Sequence, residues 1–493
     1  MTFLVKTTVM SLLCCFMLIA CKVGPNFRSP PLPIIRQYAE NKIPVKTESS
    51  PGLGGDAQTF VTFEDIPILW WELFHSKAIN QLIRRGFANS PNVAAAAAAL
   101  RVARENVNVQ IGNSLWPAVD GNSSAQRQRF ASSTVGNASG EPVTFNLFSA
   151  TVSVSYTPDL FGGERRQIES LIAQVDSQQF QVIAAYLTLA SNIVTTAITL
   201  ASYEAQIEAT LSLIKSQDNL YVILQKQFFL GAVSKASVLT QKTLLEQTRA
   251  TLPPLQKNLS ITRHALTTLI GTFPDDALPV IKLDEIKLPV RLPISLPSLL
   301  VRQRPDVRAA EALMHAACAQ IGVATANLFP SLTLTGNYGW LSSSLSNLFS
   351  PQSNIWSIAG QLTQPLFRGG ALLAQRRANI AAYQQAEAQY RQTVLTAFQN
   401  VADVLRALET DASALKAQTA AERAASEGLQ LTLNQYRLGG ASYIDLLNSQ
   451  QLYEQTRISQ IQAQAARFAD TAALFQALGG GWWHKPWCTQ QCL

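Results

Sequence analysis

The sequence predicts a mainly α-helical chain that also carries transmembrane β-hairpins and consists of two copies of one elongated unit. Three observations support this fold class. Similar landmarks recur in the same order about 210 residues apart. Each copy contains a proline-free stretch of more than 60 residues with apolar residues at heptad spacing. Each copy also contains a shorter window in which apolar and polar residues alternate, as in the strands of a membrane barrel.

The composition excludes several broad classes of protein. Charged residues make up 14% of the 493 residues, against about 25% in an average soluble protein. The hydrophobic share of 47% is ordinary, which argues against a disordered charged chain and against a bundle of membrane helices. The net charge of +7 is dilute and forms no basic stripe with interleaved aromatic residues, so no nucleic-acid partner is predicted.

No enzyme, cofactor or metal site is predicted. The four histidines lie in no H-E-x-x-H motif, and the chain has no G-x-S-x-G, P-loop or G-x-G-x-x-G motif. The C-terminal tail could form a local disulfide between Cys488 and Cys492. A metal site that combines these cysteines with His484 is the less favoured hypothesis. Cys318 lies in an alanine-rich stretch and is expected to be a small buried residue.

The N-terminus predicts export and lipidation. Residues 1–20 read as a signal peptide, too short for a membrane helix. Their end, Leu18-Ile19-Ala20-Cys21, resembles the lipobox of bacterial lipoproteins, so Cys21 is the expected acylation site. Lys22 takes the place of the aspartate that retains such proteins at the inner membrane, which favours the outer membrane. The alternative is an ordinary signal peptide with an incidental cysteine.

The internal duplication fixes the predicted domain order. Its landmarks pair at offsets of 214, 207 and 208 residues: Pro91 with Pro305, Pro158 with Pro365, and Gly231 with Gly439. From these pairs we expect the following order: signal 1–20, extended linker 21–62, first repeat 63–273, inter-repeat linker 274–302, second repeat 303–479, and tail 480–493.

Each repeat is expected to contain one very long helix, at about 163–229 in the first copy and about 370–438 in the second. In the first copy, Ile172, Ile193 and Leu200 stand at multiples of seven, with Val182 and Leu189 in the complementary register. Such a helix would form a rod of roughly 100 Å. A polytopic membrane protein is the alternative, because Gln178 to Tyr203 carries no charge. The polar residues and the heptad register within that stretch favour a packed helix.

Each repeat is also expected to contain one β-hairpin, at about 117–157 and about 331–365. The strand after Trp116 is the weakest of the four, since it is polar on both faces. Because about eight strands are the fewest that close a membrane barrel, the chain must oligomerise. A dimer would supply eight strands and a trimer twelve, and the strand pattern leaves both open.

Five segments in order resemble the TolC-like outer-membrane efflux channels, in the lipoprotein branch that serves resistance-nodulation-division pumps (the OprM and NodT type). They are CKVGPNF after the lipobox, LWWELFHSKAINQLIRRGFANSPNV (69–93), YTPDLFGGERR (156–166), LPSLLVRQRPDVRAAE (296–311) and IGVATANLFPSLTLTG (321–336). The resemblance covers nearly all of the mature chain. It implies a homotrimer whose twelve-stranded β-barrel in the outer membrane continues into a long periplasmic α-helical barrel.

The resemblance further implies a passive exit duct for small molecules, without a cofactor, which receives its cargo from an inner-membrane transporter through a periplasmic adaptor. The alternative function within this fold is the outer-membrane duct of a type I protein-secretion system or of a metal-efflux pump. No cluster of methionine or histidine marks a metal path.

By the same resemblance, three groups of residues carry the function. The periplasmic gate would be Tyr436, Asp445 and Asn448, with Asn448 in place of the family's second aspartate and Ala441 in place of an arginine found in one branch. The tips that contact the adaptor would be Leu230, Gly231, Ala232 and Ser234, with Leu438, Gly439, Gly440 and Ser442 in the second copy. A helix cap alone would explain the glycines but not the repeated serine.

The third group would form the junction between barrel and helices: Pro158, Asp159, Gly162, Gly163, Pro365, Gly369 and Gly370. Asp159 is expected to act structurally, as a helix cap or in a ring of hydrogen bonds. The paired Trp70 and Trp71 are expected to be core residues rather than functional ones.

Overall fold

A computed structural model describes residues 22–31, 33, 35, 38, 44–62, 64–131, 142–294 and 297–484. Cys21, Cys488 and Cys492 lie outside these described residues. The helices are α1 (Lys77–Asn89), α2 (Pro91–Leu115), α3 (Gly163–Phe229), α4 (Lys235–Leu269), α5 (Pro297–Gln303), α6 (Pro305–Ala326), α7 (Ala371–Arg437) and α8 (Tyr443–Ala477). The strands are β1 (Thr59–Thr62), β2 (Ala118–Phe130), β3 (Val143–Tyr156), β4 (Arg291–Ile294), β5 (Ser331–Ser342) and β6 (Asn354–Thr363).

The chain divides into two compact units. The first contains the described residues up to Pro30, together with Ala99–Gln178 and Ala310–Tyr390. The second contains the described residues of Pro31–Ala98, Gln179–Ala309 and the chain from Arg391 onward.

The first unit holds one antiparallel sheet with the strand order β2-β3-β5-β6. β2 pairs with β3 along its whole length, from Ala118 opposite Ser155 to Phe130 opposite Val143. This complete register explains how a segment with no apolar face forms a strand, because β3 supplies its hydrogen-bond partners. β3 also pairs with β5, which joins the hairpins of the two repeats into one sheet.

Three heptad positions of α3 in the second unit are buried. Val182 and Ile193 are fully buried, and Leu200 is 4% exposed. Ile172, at the same heptad position in the first unit, is 47% exposed. The seam is thus covered by other helices of the chain in one part of α3 and is open in the other.

Trp70 and Trp71 are buried, as expected of core residues. Trp70 stacks on Phe475 of α8, with the ring centroids 5.3 Å apart. Trp71 meets Phe87 of α1 edge to face at 5.6 Å. The contact between Trp70 and Phe475 joins the start of the first repeat to the end of the second, whereas that between Trp71 and Phe87 lies within the first repeat.

A short parallel sheet lies in the segments expected to be linkers. β1 pairs with β4 from Thr59 opposite Arg291 to Thr62 opposite Ile294. Four residues are too few for a recognisable alternation, and Pro293 weakens the strand signal further. The segment before β1 is held by the fully buried Arg467 of α8, which donates hydrogen bonds to the carbonyl oxygens of Gly54 and Asp56 at 2.8 and 2.7 Å.

Two carboxyl groups meet between α7 and α8. Burial of Asp411, with a hydrogen bond to Asp470 and the charge of that residue, raises the pKa of Asp411 to about 7. The guanidinium of Arg467 opposes this shift. The folded chain therefore binds a proton here more tightly than the unfolded chain, and its stability falls as pH rises from the ordinary pKa of aspartate towards 7.

We expect Asp411→Asn to remove this pH-dependent penalty. The variant should melt at a higher temperature than the parent at about pH 8, and the difference should shrink towards about pH 4.5. Thermal unfolding of the detergent-solubilised protein followed by circular dichroism measures both values. Asp403→Asn, at an exposed position of the same helix, is the matched control and should not change the pH profile. A pH-independent difference between parent and Asp411→Asn would contradict the raised pKa of Asp411.

Candidate functional site

The two helical tips have the same backbone geometry. Gly231 and Gly439 adopt φ values of 73° and 79°. The next residue donates its N–H back across the turn in both copies, from Ala232 to the carbonyl of Gln227 and from Gly440 to that of Gln435, each at 2.8 Å. These are Schellman turns. A Cβ added at Gly231 or Gly439 would meet nothing within 4 Å, so the left-handed backbone, and not lack of space, requires glycine there.

The repeated serine starts the next helix in both copies. The hydroxyl oxygen of Ser234 accepts a hydrogen bond from the N–H of Ser237, and that of Ser442 accepts one from the N–H of Asp445, both at 3.2 Å. Both serines are therefore N-caps. The glycine belongs to the C-terminal cap of one helix and the serine is the N-cap of the next. Helix capping therefore explains both residues, which corrects the expectation that it could explain only the glycine.

Asp445 completes a capping box that the first repeat lacks. Its Oδ2 accepts hydrogen bonds from the Ser442 hydroxyl at 2.6 Å and from the Ser442 N–H at 3.0 Å. The bonds from the Ser442 side chain and then its backbone lower the pKa of the exposed Asp445. The matching position of the first repeat is Ser237. The tip of each chain thus carries this carboxylate once, in the second copy.

Tyr436 links the two long helices near their tips. Its hydroxyl donates to Oε1 of Gln227 on α3 at 3.2 Å, and burial raises its pKa. Its ring lies 6.3 Å from that of Tyr443, whose hydroxyl donates to Oε1 of Gln241 at 2.6 Å. Both rings pack on a small buried core of Leu220, Leu224 and Leu446.

The structure therefore separates the three residues expected at the gate into two environments. Tyr436 is half-buried and holds neighbouring helices together, whereas Asp445 and Asn448 are exposed. Asp445 and Asn448 are three residues apart on α8, so they share one helix face. Sequence reasoning missed Tyr443, Gln227 and Gln241. The Ser-x-x-Asp spacing could have revealed the capping box.

The tips also expose large apolar side chains. Leu230 is 83% exposed and Leu438 is 88% exposed, and Phe229 beside the first tip is 87% exposed. The expected tip residues Ala232 and Gly440 are exposed as well.

At the end of β3, Asp159 caps the first turn of α3. Its Oδ2 accepts from the N–H of Arg165 at 2.9 Å and from Nε of the same arginine at 3.1 Å. Gly162, between Pro158 and the helix start at Gly163, has a φ of 78°. These contacts tie Asp159 to the first turn of α3, and its expected structural role stays a prediction.

The corresponding turn of the second repeat, after Pro365, keeps the glycines but not the cap. Gly369 and Gly370 have φ values of 57° and 81°. The residue that matches Asp159 is Leu366, which is 92% exposed, and its neighbour Phe367 is 87% exposed. The two junctions therefore have a similar backbone conformation, but a carboxylate in the first is replaced by an exposed leucine in the second.

The chain matches the family described as "Outer membrane efflux protein" over residues 82–272 and 296–480. It belongs to this family. Its members are trimeric outer-membrane components of tripartite pumps. The fold is the TolC-like one, a helical barrel with a β-barrel, and the chain is an outer-membrane efflux channel.

Individual relatives agree with this assignment over nearly all of the chain. The probable efflux pump outer membrane protein TtgC of Pseudomonas putida KT2440 is 29% identical over 479 residues, which cover 95% of this chain and 94% of the relative. The cation efflux system protein CusC of Escherichia coli O6:H1 is 27% identical over 94% of this chain and 96% of its own. The solved structure of the outer-membrane channel OprN superimposes with a TM-score of 0.83 at 26% identity, and covers 94% of this chain and 100% of its own.

Among the described residues of this efflux protein, α3 is the one helix that is long and apolar enough to cross a membrane. In the family fold, long helices of this kind form the helical barrel, and the outer membrane is crossed by strands.

Proposed function

We propose that three copies of this chain form one twelve-stranded barrel and one continuous duct, through which small molecules leave the cell passively. The observation that supports this proposal is that the four-stranded sheet is open at both edges. β2 and β6 are its two edges, and neither can find a further partner within four strands. A membrane supplies no water to satisfy such edges, so other copies of the chain must do so.

Asp445 would form the charged ring at the narrow end of this duct. The capping box fixes the position of its carboxylate at the tip, and the lowered pKa keeps it ionised. In a trimer the single carboxylate becomes a ring of three, which favours cations. Asn448 would form a neutral ring one helical turn away.

We expect Asp445→Asn to reduce the preference for K⁺ over Cl⁻ by at least about two-fold, because the ring loses its charge. Asn448→Asp should shift the preference in the opposite direction, since it adds a second ring. Single-channel recording of purified protein in planar bilayers under a salt gradient measures both.

Glu409→Gln is the control for this pair, because it removes a carboxylate of α7 that pairs with Arg406 away from the tip. Unchanged selectivity in both tip variants would remove Asp445 from the gate.

The exposed leucines at the tips would meet the periplasmic adaptor of the pump, with an inner-membrane transporter of the resistance-nodulation-division class behind it. Leu230 and Leu438 follow the last residues of α3 and α7 and are among the most exposed apolar side chains of the chain. An exposed leucine contributes roughly 1.5–3 kcal/mol when a partner buries it. The Schellman turns hold both leucines at the same place in the two repeats.

We expect Leu438→Ser to weaken adaptor binding about ten-fold or more, because that burial is lost. Cells that carry the variant should become sensitive to pump substrates, while the conductance of the purified channel stays the same. Leu395→Ser, at a 63% exposed position of the same helix, is the matched control. Full resistance of the Leu438→Ser strain would contradict the assignment of the tip.

The proposed cargo is drugs or similar small molecules, and the similarity to CusC supports cations as the second candidate. Among the described residues no group of three or more histidine, cysteine, aspartate or glutamate side chains could hold a metal ion. Cargo choice would then rest with the transporter. Deletion of the gene that encodes the chain, followed by measurement of growth on antibiotics and on copper or silver salts, separates the two candidates.

A further inference from the structure

An aromatic stack lies where the two repeats meet at the helical end of the sheet. Phe161, in the turn between β3 and α3, stacks on Phe329, which lies between α6 and β5, with the ring centroids 4.8 Å apart. β3 and β5 are the strands through which the two hairpins pair. In this stack Phe161 is half-buried and Phe329 is 40% exposed. The β3–β5 boundary thus ends in a pair of rings that partly cover each other.

The duplication places a second pair of aromatic residues at the corresponding points of the chain. Trp116 lies between α2 and β2 and is followed by a proline, as Phe329 is before β5. Phe367 lies in the turn between β6 and α7, as Phe161 does after β3. Trp116 is 68% exposed and Phe367 is 87% exposed. They flank β2 and β6, the opposite edges of the sheet, which lie three strand spacings or about 14 Å apart.

A polar contact beside the first stack also has a counterpart at these edges. The hydroxyl groups of Thr157 and Thr333 lie 3.4 Å apart across the β3–β5 boundary. The matching residues are Thr363 at the end of β6 and Asp120 in β2. A threonine hydroxyl can donate to a carboxylate as well as to another hydroxyl. The replacement of one threonine by aspartate therefore keeps the pair complementary.

The faces of the two edge strands agree with the same arrangement. Tyr156 of β3 lies opposite Leu334 of β5, and their counterparts are Leu362 of β6 and Gly121 of β2. Leu362 and Gly121 both lie on the apolar face of the sheet, because each stands opposite an apolar residue of the neighbouring strand in its own chain. A β2 strand of a second copy can therefore pair with β6 in the register of β3 and β5, with the apolar faces on the same side.

We propose that Phe367 stacks on Trp116 of the partner subunit and that Thr363 donates a hydrogen bond to Asp120 of the partner subunit. The boundary between two copies then repeats the boundary between the two repeats of one chain. This inference rests on the proposed barrel of several copies. Backbone pairing between edge strands tolerates a slip by two residues, whereas the stack and the polar contact select one register.

Photocrosslinking from position 367 tests the stack in the full-length chain in cells. Benzoylphenylalanine in place of Phe367 keeps an aromatic ring there, and irradiation should join two chains through the peptide that contains Trp116. The same amino acid in place of Phe161 is the matched control. It should crosslink within one chain, to the peptide that contains Phe329, with loss of the chain-to-chain product. Crosslinks from position 367 to lipid alone, as expected of a ring that faces the membrane, would overturn the stack.

Coupling between the two rings gives a second measurement. We expect Phe367→Ala and Trp116→Ala each to lower the temperature at which the detergent-solubilised assembly dissociates. The double variant should lose little more than the weaker single variant, because either change already removes the stack. Phe161→Ala combined with Trp116→Ala is the control, and its losses should add, since these rings belong to different boundaries.

The same cycle with Thr363→Val and Asp120→Ala tests the polar contact, and these losses should also fail to add. Additive losses in either cycle would overturn the contact concerned.

The stack and the number of copies can fail separately. Native mass spectrometry of the same sample counts the chains. A particle of three chains without the crosslink from position 367 to the Trp116 peptide would overturn the stack and leave the twelve-stranded barrel standing. The crosslink in a particle of two chains would support the stack and count against the twelve-stranded barrel.

Discussion

The backbone N–H and C=O groups along the outer edges of β2 and β6 need partners in a membrane that supplies no water. Four strands cannot curve back on themselves, since about eight are the fewest that close. The two edges therefore demand other copies of the chain, and the chain can reach its native state in the membrane only as part of an assembly. This requirement follows from the β2-β3-β5-β6 order alone, and the proposed ring of Asp445 depends on it.

The duplication gives both repeats the same turns and helix caps, whereas divergence between the copies places different side chains on them. Both tips use the same Schellman turn and serine cap, but the carboxylate of Asp445 has Ser237 as its counterpart. Both junctions bend at left-handed glycines, but Asp159 caps the first whereas Leu366 is exposed at the second. A trimer of such chains alternates the two repeats around one axis, so every charge placed in one copy appears three times and not six. The proposed gate and the junction each use this difference.

Sequence patterns predicted the long elements well and the short or distant contacts poorly. The first long helix was expected at about 163–229 and spans Gly163–Phe229, because sixty residues without proline and with a heptad register leave few alternatives. Even β2, which has no apolar face, follows from its place in a hairpin. In contrast, β1 and β4 are four residues each and find each other across more than 200 residues of chain. The Tyr436–Gln227 and Arg166–Val23 contacts leave no periodic signal, since they join single polar residues that only the folded chain brings together.

The number of chains in one particle tests the central requirement most directly. Native mass spectrometry of the protein extracted from outer membranes in mild detergent counts them without any label. The open edges and the family fold predict three chains per particle and a barrel of twelve strands. A particle of one chain would contradict the account outright, because it would leave both edges of the sheet without partners, and a particle of two would exclude the twelve-stranded duct.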